Sequence, residues 1–406
     1  MKIAVIGSGI SGLSAAYYLS KKYKVDLFEK QNHFGGHSYT LDVDINNKIV
    51  PVDIGFIVFN YQTYPNLINF FKENNIEIEK SDMSFSVSVN DTNIEYCGRG
   101  INGIFSNRAN LLNFRFIKMF LEIISFYKKN DNLNSTEINL SLGEYLKKQN
   151  LSKYFIDYHL IPMVSAIWSM PPYEANQMPL SFFLKFFQNH GLFKIKERPQ
   201  WYTVTNRSKT YVNNILQKIS GEHYKNYAVN KIKRNLNGLQ VYYGDDNEFF
   251  SYDKVIIATH ADDALKLIDS PLEEEIKILS NFKYKKNIAY IHFDESIMPK
   301  NKKNWCSWNA SIDKNNLQKN SITYWLNLLQ NLNISKNIFL TINPYYQISQ
   351  EKIFKKINFT HPYYDDQTLK NQKSLKLIQN QDNILFCGSY FGYGFHEDGI
   401  KSSLEM

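Results

Sequence analysis

The run Gly7-Ser8-Gly9-Ile10-Ser11-Gly12 constrains this chain more than any other feature. It follows Lys2-Ile3-Ala4-Val5-Ile6, which reads as a short buried strand, and it opens a segment, 11–22, with helical periodicity. Residues 24–28 then read as a second strand. Strand, glycine turn, helix, strand is the opening unit of a parallel doubly wound sheet. Gly7 permits the tight turn, Gly9 lets a diphosphate approach the backbone with no Cβ in the way, and Gly12 lets helix and strand pack closely. The helix start, with Ser11 in its first turn, offers free N–H donors and a partial positive charge. Glu29 lies 20 residues past Gly9, at the end of the second strand, where it can accept hydrogen bonds from ribose hydroxyls. Its charge disfavours a 2′-phosphate, so NADP is not expected. The fingerprint alone leaves FAD and NAD both open.

The remaining chain reads as two interleaved domains of an α/β protein. Residues 48–58 and 83–96 have strand character, and helical periodicity dominates 115–121, 142–149, 153–161, 180–188 and 208–219. Strands return at 229–233, 239–243 and 249–257, then at 286–293, 305–309, 321–327 and 337–342. A helix at 367–379 precedes a last strand at 383–387. This order assigns 1–80, 221–270 and 380–406 to a discontinuous Rossmann-like domain, and 81–220 with 271–379 to a substrate domain of mixed sheet plus helices.

The net charge of +8 invites a nucleic-acid reading, but the lysines are spread along the chain with no nucleic-acid module beside them. A solvated surface explains the charge, and approach to anionic lipid is its second use. Cys97, Cys306 and Cys387 are scattered, with no CxxC pair, so neither a disulfide framework nor a metal site is expected. That usage fits a reducing cytoplasm. No stretch of 18 uncharged apolar residues is present.

Past Glu29 and Lys30 comes a second glycine pair, Gly35-Gly36, followed by His37, and then Val52-Asp53-Ile54-Gly55-Phe56 ends a strand on a glycine. Near the end stand Ile384-Leu385-Phe386-Cys387-Gly388 and Gly392, Gly394, Asp398, Gly399 and Ile400. In that order, along nearly its whole length, the chain resembles the flavin amine oxidase, protoporphyrinogen oxidase and phytoene desaturase superfamily. The resemblance implies FAD as cofactor, with Val229 giving backbone to the adenine and Gly388 to Ile400 forming the flavin loop and the start of a terminal helix near 399–400. More narrowly, Asp53 to Asn60 and Gly392 to Gly399 resemble a bacterial subgroup of predicted FAD/NAD-binding oxidoreductases. That subgroup is commonly associated with cyclopropane-synthase-like lipid methyltransferases, which implies fatty-acyl or lipid modification. The sequence stops at Met406, seven residues into the expected helix.

There are departures from the family pattern. His37 replaces the usual Arg after the glycine doublet, and Ser389 stands where Glu is common. The lysine that holds a water near the flavin in amine oxidases has Lys285, Lys286 and Asn287 near its place. By loop position and resemblance His396 is the candidate acid/base; a structural histidine in a tight loop is the competing reading. Asp398 is read as a helix cap or a ribityl contact. Residues 166–172, the Phe-rich segment 181–190, Trp201, Trp305, Trp308, Tyr324 and Trp325 are candidate walls of an apolar tunnel, with His190 and Arg198 at a head group. Three functions remain open: hydride transfer on a hydrophobic, fatty-acyl substrate; amine oxidation; and a non-catalytic carrier, as in the Rab GDP-dissociation inhibitors.

Overall fold

The computed structural model describes residues 1–133, 140–244 and 248–406. Five parallel strands form the first sheet. Across it run His223–Lys225, Lys24–Glu29, Lys2–Ile6, Lys254–Ile257 and Ile384–Phe386. Alternate residues of these strands feed two separate cores. Ile3, Val5, Val25, Leu27 and Ile256 pack under the fingerprint helix Ile10–Ser20, while Ala4, Ile6, Phe28, Val255 and Ile257 face an antiparallel meander of Val229–Asn235, Gly238–Tyr243 and Phe249–Tyr252. Burial on both faces is why Ile3–Ile6 and Val255–Ile257 read as unbroken apolar runs.

The stretch 249–257 reads as one strand but folds as two. The chain breaks at Asp253, whose N–H donates to the Lys2 carbonyl at 2.9 Å, leaving the meander and entering the parallel sheet.

The second large sheet has seven strands, in the order Ile353–Tyr363, Lys283–His292, Phe339–Ile342, Asn320–Trp325, Trp308–Ile312, Phe85–Val89 and Glu95–Cys97. Its neighbours are antiparallel except for Trp308–Ile312 beside Phe85–Val89. Helices Phe114–Asn130, Leu142–Lys148, Ile161–Trp168 and Leu180–Asn189 contribute to the same large core. Helix Ser208–Leu216, within the segment assigned to the substrate domain, behaves differently. Its Tyr211, Val212 and Ile215 are buried with Ile3, Leu13 and Val25, on the dinucleotide side. Asp53 holds that helix start: its carboxylate accepts from the Ser208 N–H at 2.8 Å and from the Ser208 hydroxyl at 2.7 Å.

Among the described residues no helix is long and apolar enough to cross a membrane. All three cysteines are free and buried.

Candidate dinucleotide and substrate site

The fingerprint glycines sit at the carboxyl edge of the parallel sheet, where an open α/β sheet takes its ligand. Gly7 has φ +100°, and its N–H donates to the Phe28 carbonyl at 2.9 Å. A Cβ on Gly12 would fall 1.8 Å from the Gly7 carbonyl oxygen, so turn and helix are in backbone contact. Gly9 is the opposite case, since a Cβ there would meet nothing within 4 Å. Open space therefore lies over the helix start, and it is bounded on one side by Gly36, whose Cβ would come within 3.0 Å of the Gly9 Cα. The Leu13 N–H is the one that reaches the Gly9 carbonyl, at 2.9 Å, so the N–H groups ahead of it precede the helix's own ladder.

Glu29 is only 6% exposed and is partly engaged by its own loop. One oxygen accepts from the Ser8 N–H at 3.1 Å and the Ser8 hydroxyl at 2.5 Å, and the other accepts from the Gln31 N–H at 2.8 Å. Two carboxylate oxygens offer about four acceptor sites, so capacity for a ribose hydroxyl remains. Ser8 is the partner that sequence reasoning missed. Val229 starts its strand close by, because the Tyr227 N–H donates to the Glu29 carbonyl at 2.9 Å. Lys30 is not drawn in: it is exposed and pairs with Asp263 at 3.5 Å.

The second glycine loop is clamped from both sides. The Gly35 N–H donates to the Ser8 carbonyl at 3.1 Å, while the His37 carbonyl accepts from the Phe56 N–H at 2.7 Å. A Cβ on Gly55 would lie 2.2 Å from that same His37 oxygen, which is the reason for a glycine there.

The His37 side chain turns toward a group of imidazoles contributed by distant segments. His361 lies 5.6 Å from it and His260 6.3 Å, between ring centroids. The Nε2 of His37 is sealed from solvent with no protein partner. Burial pushes its pKa well below the ordinary value, and His361, His260 and His396 push the same way. His361 accepts at Nδ1 from the Asn287 amide at 2.7 Å, which leaves its proton on Nε2. Asn287 is in turn held by the Asn343 amide at 2.5 Å. Of the three residues near the family lysine's place, Asn287 is the buried one. Lys286 is exposed, and Lys285 is committed to an ion pair with buried Glu174.

The last helix spans His396–Glu405 and starts three residues earlier than the sequence suggests. The reason is Asp398, whose carboxylate accepts from the Phe395 N–H at 2.9 Å and caps the helix one turn sooner. Burial pushes the Asp398 carboxyl up to about 6, against the pull of the Phe395 and Tyr393 N–H groups. Gly399 is where this helix crosses the fingerprint helix, since a Cβ there would lie 2.8 Å from the Ile10 side chain and 2.8 Å from the Ser11 hydroxyl. Ile400 is buried in the same core. The Gly388 N–H donates to the Ser402 hydroxyl at 2.9 Å, tying the preceding loop to the helix.

His396 does not suit acid/base work near neutral pH. Its ring stacks on Phe56 at 3.7 Å, its Nε2 meets the Ser38 hydroxyl at 2.9 Å, and burial lowers its pKa to about 3. A charged imidazole there would lose its solvation with nothing to replace it, so the ring stays neutral. Of the two readings of His396, this environment favours the structural histidine.

Comparison with known proteins fits this geometry. Residues 5–73 match the family model of the NAD(P)-binding Rossmann-like domain. The 15-cis-phytoene desaturase of Synechococcus elongatus is 26% identical over 189 residues, 43% of this chain and 39% of that protein. The chain thus spans about two fifths of that curated relative's length. Two solved structures align over nearly everything: a CLA-producing fatty acid isomerase from P. acnes (12% identity, 99% of this chain and 97% of that one, TM-score 0.68) and putrescine oxidase bound to putrescine (13%, 100% and 98%, TM-score 0.70). Residues 5–73 therefore carry an NAD(P)-binding Rossmann-like domain, and the whole chain shares the fold of those two enzymes.

On the substrate side of this amine-oxidase-like fold, only part of the expected tunnel wall comes together. Phe186 lies 4.6 Å from Trp168 and 5.1 Å from Phe395, and Phe182 lies 4.6 Å from Tyr364 and 4.9 Å from Tyr393. These rings join the Phe-rich helix to the terminal glycine loop. His190 belongs to that layer, stacked on Phe186 at 3.8 Å and bonded to the Phe186 carbonyl. Trp305 and Trp325 do not; they form a separate cluster with Met298 and Phe339. Trp201 packs toward Tyr64 in the core beneath the fingerprint helix, Trp308 pairs with Tyr324, and Arg198 is exposed.

Proposed function

We propose that the protein is an FAD-dependent oxidoreductase that exchanges a hydride with a hydrophobic substrate, of the fatty-acyl or lipid class. The observation that carries this is the Cβ-free space over Gly9, walled by Gly36, whose neighbour His37 is bonded to the Gly55–Phe56 turn. The residues fit FAD on two further counts. The His37 Nε2 is buried without a partner beside the glycine doublet, and the N–H groups ahead of Leu13 are free of the helix ladder.

When bound, FAD supplies the hydride chemistry. The fingerprint N–H groups hold the diphosphate and Glu29 the adenosine ribose. The positive end of helix His396–Glu405 abuts Phe56 and Ser38, so it favours negative charge at that end of the site. His361 holds its proton at Nε2 as a hydrogen-bond donor; burial keeps its pKa at about 4, so it does not titrate near neutrality. The layer of Trp168, Phe182, Phe186, Tyr393 and Phe395 excludes water and suits an apolar chain. A sequence relative named for phytoene and a fold relative named for a fatty acid support that class.

Amine oxidation is the second reading. Tyr364 and Tyr393, both packed against Phe182, supply aromatic rings for a cation, and putrescine oxidase shares the fold. Against it, Lys285 is tied to Glu174. The first test is whether the purified protein is yellow and yields FAD on denaturation. A colourless protein that cannot be loaded with FAD sinks both readings and leaves a carrier. Mass spectrometry of co-purifying lipid then separates the two enzymes, together with flavin reduction by acyl substrates or by amines.

A further inference from the structure

Arg99 to Leu121 contains four basic residues (Arg99, Arg108, Arg115, Lys118) and no Asp or Glu. It folds as a short helix, Gly100–Ile104, a helical turn, Arg108–Leu112, and the first half of helix Phe114–Asn130. A core-forming segment would turn its large apolar residues inward, and this one does so with Phe116 and Met119. It also presents five outward. Leu112 is 93% exposed, Phe114 78%, Ile101 72%, Leu121 60% and Leu111 46%. Phe114 and Leu121 lie one heptad apart with Lys118 between them, so they share one helix face. Isolated exposed leucines are ordinary, but five large apolar side chains this exposed within residues 101–121 are not.

The charge around them fits a particular partner. Arg99 touches Asp82 at 3.4 Å and Lys118 touches Glu122 at 3.9 Å. Among the described residues Arg108 and Arg115, which flank Leu111, Leu112 and Phe114, pair with no carboxylate. Exposed apolar side chains with unpaired cations beside them in the chain match a lipid interface, where leucine and phenylalanine enter the acyl boundary and arginines meet phosphate. A protein groove would satisfy the apolar residues and leave the arginines without a stated partner.

We infer that the corner formed by Ile101, Leu111, Leu112, Phe114 and Leu121 docks the protein onto the surface of an anionic phospholipid bilayer, with Arg108 and Arg115 on the headgroups. This goes beyond the flavin reading and does not rest on it, because docking needs neither FAD nor turnover. The corner would place a lipid-class substrate within reach, so the two readings are compatible but fail separately.

The test is co-sedimentation of the intact protein with vesicles of phosphatidylcholine alone and of phosphatidylcholine with phosphatidylglycerol. The parent protein should partition onto the anionic vesicles and be released by salt, as screening of exposed charge requires. The pair Leu112→Ser and Phe114→Ser should weaken that partition by about tenfold or more, and Arg108→Glu with Arg115→Glu should remove the preference for anionic lipid. These side chains are exposed, so the variants should melt with the parent protein. Parent protein that binds neither vesicle overturns the inference. So does a concentration-dependent dimer, seen by sedimentation, that the Leu112→Ser and Phe114→Ser pair abolishes while vesicle binding is absent.

Discussion

Glu29 is a carboxylate that holds its own loop and keeps acceptor capacity for the ribose role proposed for it. It holds Ser8 by both N–H and hydroxyl, so it shapes the turn that presents Gly9. Glu29→Lys should therefore weaken FAD binding by at least about tenfold, since charge-assisted hydrogen bonds are lost and a cation is brought in. Flavin absorbance per mole of purified protein measures this, and unchanged occupancy would refute the role. His396 makes the converse prediction. Its ring is neutral throughout the physiological range, so His396→Gln, which can keep the bond to Ser38, should leave the pH profile of kcat/KM unchanged. Loss of an inflection near neutrality in that variant would restore His396 as an acid/base group. The histidine of the seven-stranded sheet that meets the His37 ring is His361. Sequence reasoning did not find it because its strand, Ile353–Tyr363, lies at the sheet edge and carries lysines among its apolar residues. The alternation of Ile357, Phe359 and His361 was the available signal.

At the scale of elements, the contact between fingerprint helix and turn has no slack. Gly12→Ala would place a methyl 1.8 Å from a backbone oxygen, and the cost should be about 3 kcal/mol or more. Gly399→Ala meets side-chain atoms of Ile10 and Ser11 that can shift, so its cost should be smaller, about 1–2 kcal/mol. Urea denaturation of the two variants measures the order. The cap of the terminal helix gives a pH prediction. The folded pKa of Asp398, about 6, is above its ordinary value of 3.8, so the fold binds that proton more tightly than the unfolded chain does. The stabilisation is full below 3.8 and is lost as pH rises toward 6. Asp398→Asn keeps an acceptor for the Phe395 N–H with no charge to bury. It should exceed the parent protein in stability by about 1–3 kcal/mol above pH 6, and the gap should close in acid. Thermal melts at both ends of that range would show it.

For the whole molecule, all nine histidines are held below their ordinary pKa, with burial the largest cause at each. His159 and His396 fall to about 3, and His190, His292 and His361 to about 4. Depressed folded values give stability that is complete above the unfolded pKa of about 6.5 and is lost as pH falls toward the folded ones. Each well-buried imidazole costs about 1.4 kcal/mol per pH unit in that window. The protein should therefore unfold cooperatively in mild acid, at about pH 4–6. Native near-ultraviolet dichroism at pH 4 would contradict this.

Local pattern alone determined the parallel α/β unit, the positions of Gly7, Gly9, Gly12, Gly35, Gly36, Gly55 and Gly399, and the place of Glu29. Each of these follows from backbone geometry within a few residues of chain or from the order of the motifs. Tertiary structure decided the rest. It set Ser8 against Glu29, moved helix Ser208–Leu216 onto the dinucleotide core through Asp53, and stacked His396 on Phe56. It also gathered His37, His260, Asn287 and His361 from four segments. Those outcomes depend on which side chains meet across hundreds of residues, and on how much water each keeps. A one-dimensional pattern carries neither.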